Sequence, residues 1–93
     1  MTVKVRIPSA LRAFTDGESQ VEVAATTVNG ALEALVARHA PLRPHLYDEA
    51  GALRSFVGVF VGQADVRSLQ GLATPVSPRD VVIILPSVAG GAA

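Results

Sequence analysis

Few side chains in this protein could carry out covalent chemistry. There is no cysteine, which excludes thiol nucleophiles, disulfides and cysteine-held iron–sulfur clusters. The only histidines, His39 and His45, have no carboxylate or second histidine at metal-ligand spacing, so no metal site is expected. They read as surface positions, one at a helix end and one in a loop. No Ser–His–Asp constellation suggests itself. Gly58 and Gly62 lack the spacing and the following lysine of a phosphate loop.

What remains is backbone. An apolar run is followed by Val88-Ala89-Gly90-Gly91 and then by Ala92 and Ala93. Two glycines are poor packing material, because they have no side chain and a high ordering cost. They do make a thin peptide that can thread a narrow channel in another protein. The reactive group would then be a main-chain carboxylate at Gly91. As written, Gly91 is in an amide bond to Ala92, so Ala92 and Ala93 would have to be removed first. Otherwise they are an added remnant or an engineered block.

The rest of the chain must present that tail. Ninety-three residues suffice for one small domain with a single modest core. Hydrophobic residues make up 49% and charged ones 17%, a balance that argues against disorder. No apolar run approaches the roughly 20 residues of a membrane span. Met1-Thr2-Val3-Lys4-Val5-Arg6 alternates and lacks the apolar core of a signal peptide. A cytoplasmic location is expected. Eight basic and eight acidic residues cancel, and the arginines are dispersed, so no basic stripe points to nucleic acid.

Val3, Val5 and Ile7 alternate with polar neighbours and predict a strand ended by Pro8. Thr15-Asp16-Gly17 reads as a turn, and Gln20-Val21-Glu22-Val23 as a second strand pairing antiparallel with the first. Thr27 is placed to cap a helix. Val28, Ala31, Leu32, Leu35 and Val36 behind it form one apolar helix face, which Gly30 slightly weakens. Arg38 and His39 suit the helix C-terminus, and Pro41 stops it. Leu42 to Gly51 reads as irregular, with Leu42 and Leu46 anchored against the core and Asp48-Glu49-Ala50-Gly51 a polar loop. Phe56 to Val61 predicts a third strand closed by Gly62-Gln63. Val66 to Leu72 has room for a helical turn and a small strand, and Ser77-Pro78-Arg79-Asp80 for a tight turn.

Val81-Val82-Ile83-Ile84-Leu85 is apolar at every position. That pattern predicts a central strand covered on both faces. The compact solution is α+β: a mixed four- to five-stranded sheet with one main helix across a face and the first and last strands parallel at its centre. This is the β-grasp, or ubiquitin-like, architecture, expected over residues 1–87 with a flexible tail at 88–93. Phe60 reads two ways. Val57, Val59 and Val61 share one strand face and Phe56, Gly58 and Phe60 the other, more apolar surface than one helix covers. Phe60 is either core or the centre of an exposed docking patch.

Several segments are similar to one family. Phe56-Val57-Gly58-Val59-Phe60-Val61-Gly62-Gln63-Ala64-Asp65-Val66-Arg67 resembles the third strand and following turn of the ubiquitin-like bacterial sulfur carriers (the ThiS/MoaD family). Gly71-Leu72-Ala73-Thr74-Pro75-Val76 and Asp80-Val81-Val82-Ile83-Ile84-Leu85-Pro86 resemble their closing section. Ser87-Val88-Ala89-Gly90-Gly91 resembles their terminal signature. The likeness is greatest to carriers that serve thiocarboxylate-dependent cysteine biosynthesis.

The resemblance implies a non-enzymatic sulfur donor. A ubiquitin-activating-type adenylyltransferase, using ATP and magnesium, would adenylate Gly91. A sulfur donor would displace AMP and leave a thiocarboxylate. Val88, Ala89 and Gly90 would lie in the partner's channel. The acceptor enzyme would be a cysteine-synthase-like or other synthase, and a zinc-dependent JAMM-type peptidase would remove Ala92-Ala93. Two rivals share the tail: a protein modifier conjugated through Gly91, and an interaction subunit whose tail is inert.

Overall fold

The structure, a computed structural model, describes residues 2–54 and 57–86. Five strands form one mixed sheet: β1 (Thr2–Arg6), β2 (Gln20–Ala24), β3 (Val57–Val61), β4 (Ala64–Asp65) and β5 (Val81–Pro86). The order is β2-β1-β5-β3-β4. β1 and β5 run parallel at the centre, and the β1–β2, β3–β4 and β3–β5 pairs are antiparallel. This is the β-grasp architecture expected from the sequence.

Alternation in the strands places one valine set against α1 (Val28–Arg38). One register row crosses the whole sheet on this side: Val21, Val5, Val82, Val61 and Ala64. Val3, Val5, Val21, Val23, Val59, Val82 and Ile84 are buried there with Val28, Ala31, Leu32, Leu35 and Val36 of the helix. Removing that apolar surface from water is the main stabilising term, about 1.5–3 kcal/mol for each large side chain.

Thr27 caps α1 as its sequence position predicts: the Gly30 amide donates to Thr27 Oγ1 at 3.0 Å. The cap also explains Gly30. A Cβ at that position would lie 3.3 Å from the same oxygen, so the glycine that weakens the helix leaves room for its cap.

The start of α1 is tied to the segment that feeds β5. The Val28 amide donates to Thr74 O and the Val76 amide to Thr26 O, both at 2.9 Å. Thr74 is buried, and its hydroxyl donates to Gly71 O at 2.7 Å. These bonds fix where β5 begins.

Two local expectations change. Leu42 to Gly51 is not wholly irregular: Ala40–Leu42 forms a 3-10 turn and α2 (Arg43–Leu46) a short helix, burying Leu42 and Leu46. The segment from Val66 to Leu72 holds two 3-10 turns, Val66–Ser68 and the start of Gly71–Ala73, while the small strand comes earlier as β4. Between β3 and β4, Gly62 adopts φ 62°, which glycine meets without strain in a two-residue hairpin turn.

The larger correction concerns β5. Val82 and Ile84 are buried, but Leu85 is 47% exposed and Val81 and Ile83 are only half-buried. Helix α1 covers one face of the sheet. The all-apolar run therefore does not mean burial on both sides.

Candidate functional site

The residues singled out for chemistry, Gly91 with Val88, Ala89, Gly90, Ala92 and Ala93, lie outside the described residues, as do Ser87 and Phe56. The structure does place the strand that leads to them. β5 is the central strand, flanked by β1 and β3, and it ends at Pro86 in register with Val57. Because β1 and β5 are parallel, their C-terminal ends share one edge of the sheet. The chain continues toward Gly91 from that edge.

Phe60 is half-buried and lies on the sheet face away from α1, outside the core cluster. Its side chain therefore belongs to the open face rather than to the core. A second register row crosses all five strands there: Gln20, Arg6, Ile83, Phe60 and Asp65. Gly58 sits opposite Leu85. A Cβ on Gly58 would meet Phe60 Cε1 at 3.5 Å and Leu85 O at 3.4 Å, so the ring of Phe60 leans over the space the glycine leaves. Gly58 thus has a packing role. The result is an apolar patch of Gly58, Phe60, Val81, Ile83 and Leu85 beside the end of β5. The sequence signal was available in the even spacing of Val81, Ile83 and Leu85, which the assumption of two-sided burial concealed.

Polar groups frame the patch. On the β1 side stand Lys4 and Arg6, both exposed. On the β4 side Arg67 and Asp65 form a salt bridge at 3.0 Å, and the Arg67 amide donates to Asp65 Oδ1 at 2.8 Å. These hydrogen bonds, the side-chain one first, hold the Asp65 carboxyl below its usual range.

The two histidines have separate roles. His45 is exposed and stacks on Phe14 with ring centroids 4.1 Å apart. His39 corrects the surface expectation. It is the C-cap of α1, its amide donates to Leu35 O at 2.8 Å, and only 9% of it is exposed. Its Nε2 is buried without a partner among the described residues. The helix end turns inward there because Leu42 and Leu46 must reach the core just after it. Burial likewise pushes the Tyr47 phenol above its ordinary value, with a further rise from Glu33 and an opposing effect from Arg43. Among the described residues no three His, Asp or Glu side chains form a metal-binding cluster. No described helix is long and apolar enough to cross a membrane.

The sequence model of the ThiS family matches residues 5–91, a span that runs to the second glycine. The chain is 39% identical over 93 residues to the sulfur carrier protein CysO of Mycobacterium tuberculosis, covering 98% of this chain and all of that one. Among solved structures it resembles a chain of the Amycolatopsis orientalis BexX/CysO complex, with TM-score 0.84, 40% identity and coverage of 96% and 99%. SAMP1 of Haloferax volcanii shares the fold at TM-score 0.84 and 23% identity, over 98% of this chain and all of that one.

Proposed function

Because the chain belongs to the ThiS family, we propose that it is a sulfur carrier whose Gly91 carboxylate is converted to a thiocarboxylate. The observation that carries this reading is the family match, which extends through the tail to Gly91. The carrier supplies no catalytic group. Its side chains serve docking, and its backbone terminus is the substrate.

The chemistry requires two partner-catalysed steps. The Gly91 carboxylate attacks the α-phosphorus of ATP bound with magnesium on an activating adenylyltransferase, and pyrophosphate leaves. A carboxylate is a poor electrophile, whereas the mixed anhydride with AMP is a good one. Hydrosulfide, or a donor at that oxidation level, then adds to the glycyl carbonyl carbon. The bond to AMP breaks, AMP departs with the electron pair, and the sulfur stays on glycine. Glycine at the terminus leaves no side chain to block either active site. A peptide bond to Ala92 forbids the first step, so a zinc-dependent JAMM-type peptidase would act beforehand.

The open sheet face centred on Phe60, Ile83 and Leu85 would dock these partners. Support comes from its position beside the end of β5 and from a relative having been crystallised as a BexX/CysO complex. The CysO relationship favours a cysteine-synthase-like acceptor and an intracellular, cytoplasmic setting.

The test uses protein ending at Gly91, incubated with the host's activating enzyme, magnesium, ATP and sulfide. Intact mass should rise by the difference between one sulfur and one oxygen, and the gain should disappear when Gly91 is deleted. An unchanged mass, with the enzyme shown to be active on another carrier, would overturn the proposal.

A further inference from the structure

The cations around the open face are not equivalent. Arg67 is paired with Asp65. The Arg6 side chain has no hydrogen-bond or ion-pair partner among the described residues. Arg12 donates from Nε to Ile7 O at 3.1 Å, which fixes the plane of its guanidinium and leaves its terminal nitrogens uncommitted. Both are exposed. They line a shallow concavity of about 260 Å³ with Ile7, Pro8, Ile83 and Leu85, at the edge where β1 and β5 end.

Position makes this pair consequential. Arg6 is the register partner of Ile83, and Ile83 is the register partner of Phe60. A protein that covers the apolar patch therefore also takes water away from Arg6. Desolvating a guanidinium without an acceptor is strongly unfavourable. The forked donors of arginine fit a carboxylate in two-point contact.

We propose that the Arg6–Arg12 concavity receives an Asp or Glu side chain of the protein that takes up the tail, at the lip of its channel. This inference rests on the sulfur-carrier reading and adds the charge of the partner surface. The contact steers the carrier so that the end of β5 faces the channel mouth. It also selects against partners with a basic rim, because like charges there would be buried against Arg6.

The experiment measures association of the carrier with the activating enzyme of the same host at low and high ionic strength. Arg6→Glu is the main variant, because Arg6 makes no intramolecular bond that the change would break. Unaltered thermal unfolding would confirm its fold. At low salt Arg6→Glu should bind roughly tenfold more weakly, mostly through slower association, and the gap should shrink as salt screens the contact. Arg6→Lys should retain most of the affinity. Phe60→Ala should weaken binding equally at both salts. A charge-swapped partner, with the facing Asp or Glu changed to Lys, should recover Arg6→Glu.

Equal binding of wild type and Arg6→Glu at both salts overturns the inference and leaves the sulfur-carrier reading intact. Inhibition by inorganic phosphate beyond that of chloride at equal ionic strength also overturns it, in favour of a small-anion site. Failure of the wild type itself to bind counts against the carrier reading, and the inference falls with it.

Discussion

The two faces of the sheet are built from the same strands and obey the same alternation, yet they end up chemically different. Under α1 every large side chain meets others, and Val5, Leu32, Leu35 and Val82 have no exposed surface. On the opposite face the central strands present Phe60, Val81, Ile83 and Leu85, and the described chain buries them only in part. Folding accounts for the first face. The second keeps apolar surface in water at a cost, which makes sense if another protein covers it.

The sharpest way to break this comparison is on β5, where neighbouring residues point to opposite faces. Ile84 is 1% exposed and Leu85 is 47% exposed. Ile84→Ala leaves a cavity in the core beside Val59 and should cost about 2–5 kcal/mol in urea unfolding. Leu85→Ala should cost less than about 1 kcal/mol, because little surface is recovered from water in the monomer. The order should reverse in binding. Leu85→Ala should weaken the activating-enzyme complex by about tenfold, a typical loss for an interface anchor. Comparable stability losses for the two variants would erase the distinction between the faces.

Much of this arrangement was legible in the sequence, and the misreadings have physical causes. The period of two in β1 and β2, the apolar face of α1 and the Thr27 cap are local signals, set within a few residues, and they carried through. Coverage of β5 was not legible, because an unbroken apolar run looks the same whether its second face meets a helix of its own chain or a different protein. His39 was misjudged for a related reason. A polar residue at a helix end is usually solvated, but the chain beyond it must turn inward to bury Leu42 and Leu46. The placement of Phe60 depended on the register of β3 against β5, a long-range pairing that no local pattern encodes. The tail remains a reading of sequence and family, since Val88 to Ala93 lie outside the described residues.

Gly58 tests the open face more gently. A Cβ there would make contacts at 3.4 and 3.5 Å, with Leu85 O and the Phe60 ring. Alanine fits a strand better than glycine, so Gly58→Ala should leave stability unchanged or raise it by up to about 1 kcal/mol. At these distances the methyl meets the Phe60 ring in ordinary contact, so partner binding by calorimetry should change by less than about twofold. A severalfold loss of binding would show that docking needs the ring to settle into the space over Gly58.

The smallest expected effect lies at the β4 end of the row that crosses the open face. Arg6 stands unpaired toward one end and Asp65, already neutralised by Arg67, at the other. The Asp65 pKa is lowered from 3.8, chiefly by the Arg67 side-chain hydrogen bond. A folded-state pKa below the unfolded one stabilises the protein above the unfolded value, and that contribution disappears as pH falls through the folded value. Asp65 is half-buried but its partner Arg67 is open to solvent, so the effect is small and screened by salt. Asp65→Asn keeps the oxygen that accepts from the Arg67 amide and removes the charge together with the Oδ2 acceptor of the Arg67 guanidinium. Its urea midpoint should sit slightly below wild type at neutral pH and low salt. The two should converge only as pH falls through the lowered folded-state pKa, beneath the ordinary 3.8, where the wild-type carboxylate also becomes neutral. Convergence would show that the charge at this end of the row is satisfied within the chain, unlike that at Arg6. A gap that persists in acid would instead assign Asp65's contribution to turn geometry.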